Sequence, residues 1–286
     1  MIPNAALGGH RPKRSLGQNF LHDQGTARKI AAALEPSSAH HVLEIGPGQG
    51  ALTRWLRETG CALHVLEKDD ALAVRLKECW PDVAVITMDA LKFHWRKLRG
   101  PWRIIGNLPY NVASPIIWDL VAETPRLERG VFMIQKEVAQ RLAASPGSRS
   151  YGALSVWVQS HVQVRNLFTV GPQVFHPRPK VDSAVVRFTP LQDQERLMDP
   201  APLRWLLPLC FQKRRKQLKN ILRPFWGDTL SAWFQEQDVR PECRPENLSP
   251  RQFQDLARRL FLRRISANTA ALPEVTAKSP FSRENV

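Results

Sequence analysis

Short apolar runs alternate with amphipathic stretches through the first two-thirds of the chain, and this alternation predicts strands and helices in turn. His41-Val42-Leu43-Glu44-Ile45 is the first clear run, with the length and branched content of a strand buried in a parallel sheet. Residues 62–66, 83–87, 102–105 and 131–134 repeat it. Between these runs apolar residues fall three and four apart: Ile30 and Leu34 between an Asp23 N-cap and Pro36, then Leu52 with Trp55 and Leu56, Leu72 with Leu76, Ile116 and Ile117 with Leu120, and the segment 136–144. Strand and helix in this order predict an α/β domain on a mostly parallel sheet. Residues 154–158 and 161–168 read as a strand pair, and 183–188, behind the proline-spaced loop 172–180, as an edge strand. After Pro190 the strand signals stop. The rest reads as helices, one through 211–223 with Leu218, Ile221 and Leu222 on its apolar face and one over 250–264. The expected divisions are a flexible basic N-terminus (1–13), an α/β domain (14–190), a small all-α domain (191–266) and a disordered tail (267–286).

Charge adds a partner to this picture. The 286 residues hold 41 Lys and Arg against 26 Asp and Glu, a formal charge of +15. Such a balance predicts a polyanion as partner, nucleic acid ahead of an anionic membrane. Within 211–223 stand Lys213, Arg214, Arg215, Lys216, Lys219 and Arg223, with no acid among them. A solvated helix face usually mixes both signs, so these six are expected to bind RNA phosphates. Residues 92–103 likewise carry Lys92, Arg96, Lys97, Arg99 and Arg103 without an acid. The four cysteines (Cys61, Cys79, Cys210, Cys243) are scattered, with no C-x-x-C and no histidine at ligand spacing. That argues against a disulfide framework and against a zinc site; it predicts no metal and a reducing cytoplasm. No apolar run approaches membrane-spanning length and residues 1–10 lack a signal-peptide core, so the expectation is a cytoplasmic protein with no membrane partner.

Candidate chemistry collects at the ends of the strands. Gly46-Pro47-Gly48-Gln49-Gly50 follows the 41–45 strand and opens a helix, the arrangement of a nucleotide-cradling βα unit. Its G-x-G-x-G spacing departs from the dinucleotide fingerprint, because Ala51 takes the third-glycine position. Glu44 would oppose a pyrophosphate, whereas a ligand with a cationic end, such as S-adenosylmethionine, tolerates it. Glu67 closes the second strand where a ribose-binding carboxylate sits in such folds, and Asp89 closes the third, a candidate for an adenine amino group or an ordinary N-cap. The fourth strand runs into Gly106-Asn107-Leu108-Pro109-Tyr110. The Asn107 side-chain oxygen and the Leu108 carbonyl can each accept one N–H of a planar amino group such as adenine N6, while Tyr110 stacks on the base. Pro109 fixes its own φ and biases Leu108 towards an extended backbone, which presents that carbonyl stiffly. Phe175 reads as a second aromatic wall or as a core plug.

With those residues in place the chain resembles the KsgA/Dim-type rRNA adenine N6,N6-dimethyltransferases from about Arg14 to Arg264. The likeness rests on Ser15-Leu16-Gly17-Gln18-Asn19-Phe20-Leu21, Glu44-Ile45-Gly46-Pro47-Gly48, Asn107-Leu108-Pro109-Tyr110-Asn111, Gln135-Lys136-Glu137-Val138, Tyr151-Gly152, Pro177-Arg178-Pro179-Lys180-Val181-Asp182-Ser183 and Gln212-Lys213-Arg214-Arg215-Lys216, in that order. The resemblance implies a Rossmann-like class I S-adenosylmethionine-dependent methyltransferase with a small all-α C-terminal domain. It implies that Asn19, Leu21, Gly46, Glu67, Asp89 and Asn107 contact S-adenosylmethionine, that Asn107 to Tyr110 grip the target adenine, and that Phe175 closes its other face. It further implies dimethylation of two adjacent adenines in the last hairpin loop of small-subunit rRNA, with that rRNA and the immature small subunit as partners and a monomer as the working form. Met88 ahead of Asp89 departs from the family's usual residue. Rivals of the same chemistry are a large-subunit rRNA adenine methylase and the DNA adenine or protein-glutamine methyltransferases, whose Asn/Asp-Pro-Pro-Tyr segment has Leu108 in place of its first proline here. A rival of another class is an RNA-binding ribosome-assembly factor with secondary methylation.

Overall fold

The computed structural model describes residues 12–13, 16–192, 197 and 199–266, the last four as backbone alone. The expected flexible N-terminus lies outside the described residues apart from 12 and 13, and the expected tail lies outside them altogether. The chain forms two compact units: Met1–Ala139 with Gln163–Pro190, and Gln140–Val162 with Leu191–Val286.

In chain order the elements up to Pro190 are β1 (Phe20–Leu21), α1 (Gln24–Ala33), β2 (His41–Ile45), α2 (Thr53–Arg57), β3 (Ala62–Glu67), α3 (Asp70–Cys79), β4 (Ala84–Thr87), β5 (Trp102–Asn107), α4 (Ala113–Glu123), β6 (Leu127–Gln135), α5 (Lys136–Leu142), α6 (Ala153–Gln159), β7 (Val162–Val170), β8 (Phe175–His176) and β9 (Ser183–Pro190). Seven strands make one sheet in the order β4-β3-β2-β5-β6-β9-β7. The strands from β2 to β6 pair in parallel, and β9 runs antiparallel to β6. Val42, Leu43, Ile104, Ile105, Val131 and Phe132 are fully buried, which is why their runs show no alternation in the sequence. Asp23 caps α1 through its side chain, which accepts from the Thr26 amide at 2.6 Å.

From β2 the strand order moves outward to β4 and then returns past β2 to β5. Ligands of open α/β sheets bind in the crevice such a reversal opens at the strands' C-terminal ends. Ile45 pairs with Gly106 across this point, so Gly46 and Asn107 follow directly on either side of it. A Cβ on Gly106 would lie 2.6 Å from the Ile45 carbonyl oxygen; only glycine lets the two strands close at this register.

Three expectations about residues 140–190 fail. The strand β9 is not an edge: it lies between β6 and β7, and its first four residues are all buried. Residues 154–158 are not a strand but helix α6, whose residues Leu154 to Val158 are all buried and therefore carry no period to read. Residues 140–162 belong to the second unit rather than to the α/β domain. Tyr151 ties them there, fully buried and donating its hydroxyl to the Leu248 carbonyl at 2.8 Å, while the Gly147 amide donates to the Glu246 carbonyl at 2.7 Å.

The second unit continues with α7 (Ala201–Phe211), α8 (Leu218–Ile221), α9 (Asp228–Glu236) and α10 (Pro250–Ser266). Leu203, Leu206, Trp233, Phe253 and Leu256 fill its interior. The single helix expected through 211–223 is absent: α7 stops at Phe211, residues 212–216 turn, and α8 is one short helix of 4 residues. No helix among the described residues is long and apolar enough to cross a membrane.

Candidate active site at the switch point

The glycine turn after β2 is built from left-handed backbone. Gly46, Gly48 and Gly50 have φ of +64°, +56° and +78°. A Cβ on Gly50 would strike the Trp80 ring at 2.1 Å, and one on Gly48 would meet the Phe20 ring at 3.1 Å. Gly46 differs, since a Cβ there would meet nothing nearer than the Asn107 carbonyl oxygen at 3.9 Å. The space before Gly46 is a cradle beside Asn107, open to a bound group.

Carboxylates close the strand ends around it, Glu44 and Glu67 buried and Asp89 partly exposed. Glu67 is 5% exposed, and its two oxygens accept from the Gly48 amide at 3.1 Å and the Asp69 amide at 2.9 Å. Burial pushes its carboxyl above the usual range, against the pull of those backbone donors. Each oxygen keeps a lone pair for a further donor, the chemistry a ribose diol asks for. Glu44 is 1% exposed, and among the described residues its hydrogen-bond partner is the Thr53 hydroxyl at 2.7 Å. Burial pushes its carboxyl up to about 8, so a neighbouring cation would be needed to hold it ionised. Asp89 caps the turn that follows β4, accepting from the Leu91 amide at 3.0 Å, and pairs with Lys68 Nζ at 2.7 Å. Burial raises its carboxyl, but the Lys68 hydrogen bond, the Leu91 amide and the Lys68 and Lys92 charges outweigh burial and hold it below the usual range. The N-cap alternative for Asp89 is thus realised, which leaves its remaining lone pairs for any ligand.

Asn107 ends β5 half-buried, not turned into the core. Its Nδ2 donates to the Asn19 carbonyl at 3.2 Å, which fixes the amide and leaves Oδ1 facing away from that bond. The Leu108 side chain is buried at 1% exposure and its amide donates to the Met133 carbonyl at 3.1 Å. No described residue donates to the Leu108 carbonyl. The Pro109 carbonyl accepts from the Val112 and Ala113 amides at 3.1 and 3.0 Å, locking the turn. Tyr110 shares a 2.7 Å hydrogen bond between its hydroxyl and that of the buried Ser183, which holds the ring by its far end. Two carbonyl-type oxygens with no donor among the described residues and a tethered ring therefore follow Gly106 in the chain, on the strand paired with the one that leads into Gly46.

Other sequence-predicted residues are placed less directly. Leu21 sits on β1, which pairs with β8 so that Leu21 faces Phe175. Phe175 is 4% exposed and belongs to the apolar cluster with Leu21 and Ile30, so its ring is packed in the core rather than open. Sequence reasoning missed Asp69, Lys13 and Gln18. Asp69 is buried, donates its amide to Glu67, and accepts from Lys13 Nζ at 2.9 Å, Gln18 Nε2 at 3.2 Å and the Ala71 amide at 3.1 Å. The only available signal was its place two residues beyond Glu67 ahead of a helix. Thr53 was missed too; a threonine in the first turn after a glycine loop reads as an ordinary helix start.

In the second unit the six expected RNA cations separate into two sets. Arg214 reaches Glu246 and the Arg149 carbonyl, and Lys219 pairs with Glu242 at 3.0 Å. Lys213, Arg215, Lys216 and Arg223 are exposed. The acids that neutralise the first set lie some 20–30 residues on, out of sight of a local charge count. Among the described residues no group of three or more His, Cys, Asp or Glu is placed to hold a metal ion.

A family model described as ribosomal RNA adenine dimethylase matches residues 9–261. The ribosomal RNA small subunit methyltransferase A of Oleidesulfovibrio alaskensis is 50% identical over 263 residues, covering 90% of this chain and 94% of its own. Among solved structures, a dimethyladenosine transferase from Plasmodium falciparum superposes with a TM-score of 0.70 at 25% identity, covering 86% of this chain and 97% of that one. The 23S rRNA methyltransferase ErmE does so with a TM-score of 0.67 at 28% identity, covering 85% and 100%. Both the family match and the arrangement around Gly46 and Asn107 lead to one assignment: the chain belongs to the ribosomal RNA adenine dimethylase family, as a Rossmann-like class I methyltransferase acting on rRNA adenine.

Proposed function

We propose that this enzyme dimethylates N6 of two adjacent adenines in the 3′-terminal hairpin loop of small-subunit rRNA, as a cytoplasmic monomer acting on the immature small subunit. The observation that carries this reading is the Asn107 side-chain amide, fixed by the Asn19 carbonyl, in a residue whose backbone carbonyl borders the open cradle at Gly46. When bound there, S-adenosylmethionine supplies an electrophilic methyl on a sulfonium. The residues present suit it: Gly46 leaves the room, Glu67 accepts from a ribose diol, Glu44 tolerates a cationic amino-acid end, and Asn19 and Leu21 border the site from β1 and the segment before it. Asp89 keeps lone pairs for the adenine amino group of the cofactor.

The target amine is a poor nucleophile because its lone pair is delocalised into the ring. By accepting both N–H groups, Asn107 Oδ1 and Leu108 O favour a pyramidal nitrogen and support the positive charge that grows on it. Tyr110, tethered to Ser183, stacks on the base and sets its plane. Holding nitrogen and methyl in line contributes further; orientation effects reach roughly 7–11 kcal/mol at their best. The attacking amine is neutral, so no base acts before transfer, and the product proton leaves to water. After the first methyl, one acceptor keeps its N–H, and the pocket must admit the group that replaced the other. Since Phe175 is packed in the core, its role as the second wall requires the ring to swing towards the base.

The test is mass spectrometry of small-subunit rRNA incubated with the protein and S-adenosylmethionine. Dimethyladenosine confined to two adjacent adenines of the last hairpin supports the assignment, and methylation only of large-subunit rRNA overturns it.

A further inference from the structure

The turn that carries the proposed base pocket is tied to two strands other than its own. The Leu108 amide donates to the Met133 carbonyl on β6 at 3.1 Å, and two residues on the Tyr110 hydroxyl meets that of Ser183, the first residue of β9, at 2.7 Å. Strands β6 and β9 pair without a break from Gly130 and Phe188 to Gln135 and Ser183. Asn107 is in register with Met133 and Met133 with Val185, so Ser183, two residues before Val185, projects on the same face of the sheet as the Asn107 side chain. Asp182 closes the end of this ladder: its carbonyl accepts from the Lys136 amide at 3.0 Å and its carboxylate from Lys136 Nζ at 3.2 Å. The backbone of the acceptor segment and the Tyr110 ring are therefore held to one paired frame.

Ser183 is fully buried, and among the described residues its hydroxyl meets that of Tyr110. Burial lifts the Tyr110 phenol above its ordinary value, against the pull of the Ser183 hydrogen bond and with the Asp182 charge adding to the rise. The tether thus joins two neutral hydroxyls across the neutral range of pH. Phe175 is packed in the core, so of the two rings proposed for the target base Tyr110 is the one in place. During the first transfer three features fix N6: two oxygens that each accept an N–H, and the ring plane. Before the second, a methyl has replaced one N–H. One acceptor and the ring then remain to aim the nitrogen. In that step the N6 lone pair forms the new N–C bond, the S–C electron pair stays on sulfur, and the last N–H proton goes to water. Any freedom gained by the ring is felt more strongly where it is one of two constraints than where it is one of three.

We infer that Ser183 is a positioning residue for the second methyl transfer: its hydroxyl sets the plane of the Tyr110 ring, and this plane aims the monomethylated nitrogen once one acceptor has lost its N–H. The inference rests on the adenine dimethylation proposed above and gives that pocket a residue that governs how far the reaction runs.

The test follows monomethyl- and dimethyladenosine over time by mass spectrometry in unmethylated small ribosomal subunits, at saturating S-adenosylmethionine, to obtain the rates of the first and second transfers and their ratio. Wild type is compared with Ser183→Ala, Tyr110→Phe and the double variant, with Tm measured for each. Either single variant leaves one hydroxyl without its partner and should lower Tm; the double variant, which removes both, should recover part of that loss. The second rate should fall roughly two- to tenfold, one neutral hydrogen bond's worth, and the first rate less, so that monomethyladenosine accumulates. The ratio of second to first rate should be as low in the double variant as in either single one, since all three lose the same bond. Unchanged rates, equal falls in both, a larger fall in the first, or a ratio that recovers with Tm in the double variant overturns the inference, because loss of folded enzyme lowers both transfers alike. Tyr110→Phe keeps the ring and carries the test if Ser183→Ala does not fold. A wild type that leaves the small subunit unmethylated, or stops at monomethyladenosine, counts against the proposed reaction instead, so the two failures are told apart.

Discussion

At Asn107 one hydrogen bond decides what the side chain offers. One Nδ2 hydrogen goes to the Asn19 carbonyl, which orients the amide and turns Oδ1 the other way as the acceptor for a base. Asn107→Ala should lower methyl transfer by at least about 10²–10³-fold, the range found when one preorganised hydrogen-bonding group is removed from a transition state. Cofactor affinity, measured by calorimetry, should fall less than in Glu67→Ala, which strips the carboxylate that two backbone amides orient. Glu44 gives a second prediction, in pH. Folded, it keeps its proton up to about pH 8, whereas its ordinary value is 4.5. Between those values the folded state binds more protons than the unfolded chain, so stability falls as pH rises through that window and levels off above it. Glu67, also raised by burial, adds the same sign. Glu44→Gln keeps an acceptor for Thr53 and removes this loss. It should gain at least about 1 kcal/mol over wild type at pH 8.5, roughly 2–4 °C in Tm, and little near pH 4. Parallel Tm profiles in the two proteins would contradict it.

Among the elements, β1 depends on a clasp outside itself. Asp69 caps α3 and holds Lys13 and Gln18, and so fixes the approach to Asn19, whose carbonyl orients Asn107. Asp69→Ala should cost about 0.5–2 kcal/mol for the cap alone. It should also speed hydrogen exchange at the Phe20 and Leu21 amides more than along β2; uniform acceleration would mean only general destabilisation. Most of the parallel sheet was legible because its buried strands are short branched runs closed by glycine or an acid, as at Ile45-Gly46 and Leu66-Glu67. Helix α6 was not, since a segment buried on every side has no polar face to set a period. The turn at 212–216 was missed because Leu218, Ile221 and Leu222 do fall at helical spacing, yet they serve one short helix and the residue that ends it. The glycine turn, Glu67, Asp89 and the Asn107 segment could be named from local order. Links such as Asn107 to Asn19 and Tyr110 to Ser183 join residues far apart in the chain and only folding reveals them.

For the molecule as a whole, the +15 charge is not spread evenly in effect. In the second unit Arg214 and Lys219 are spent on Glu246 and Glu242, while Lys213, Arg215, Lys216 and Arg223 stay exposed and meet no carboxylate among the described residues. Replacing those four with Gln should flatten the salt dependence of RNA binding by about three, with cofactor affinity unchanged. Arg214→Gln should instead lower Tm and leave the slope nearly as it was; the reverse pattern would show the pairing with Glu246 to be irrelevant in solution. The most direct measurement concerns the catalytic pocket. Unmethylated small-subunit rRNA is incubated with labelled S-adenosylmethionine and either wild type or Asn107→Ala, and dimethyladenosine is quantified by mass spectrometry. Two dimethylated adenines with wild type and none with the variant are the predicted result, while equal methyl incorporation by both would contradict it.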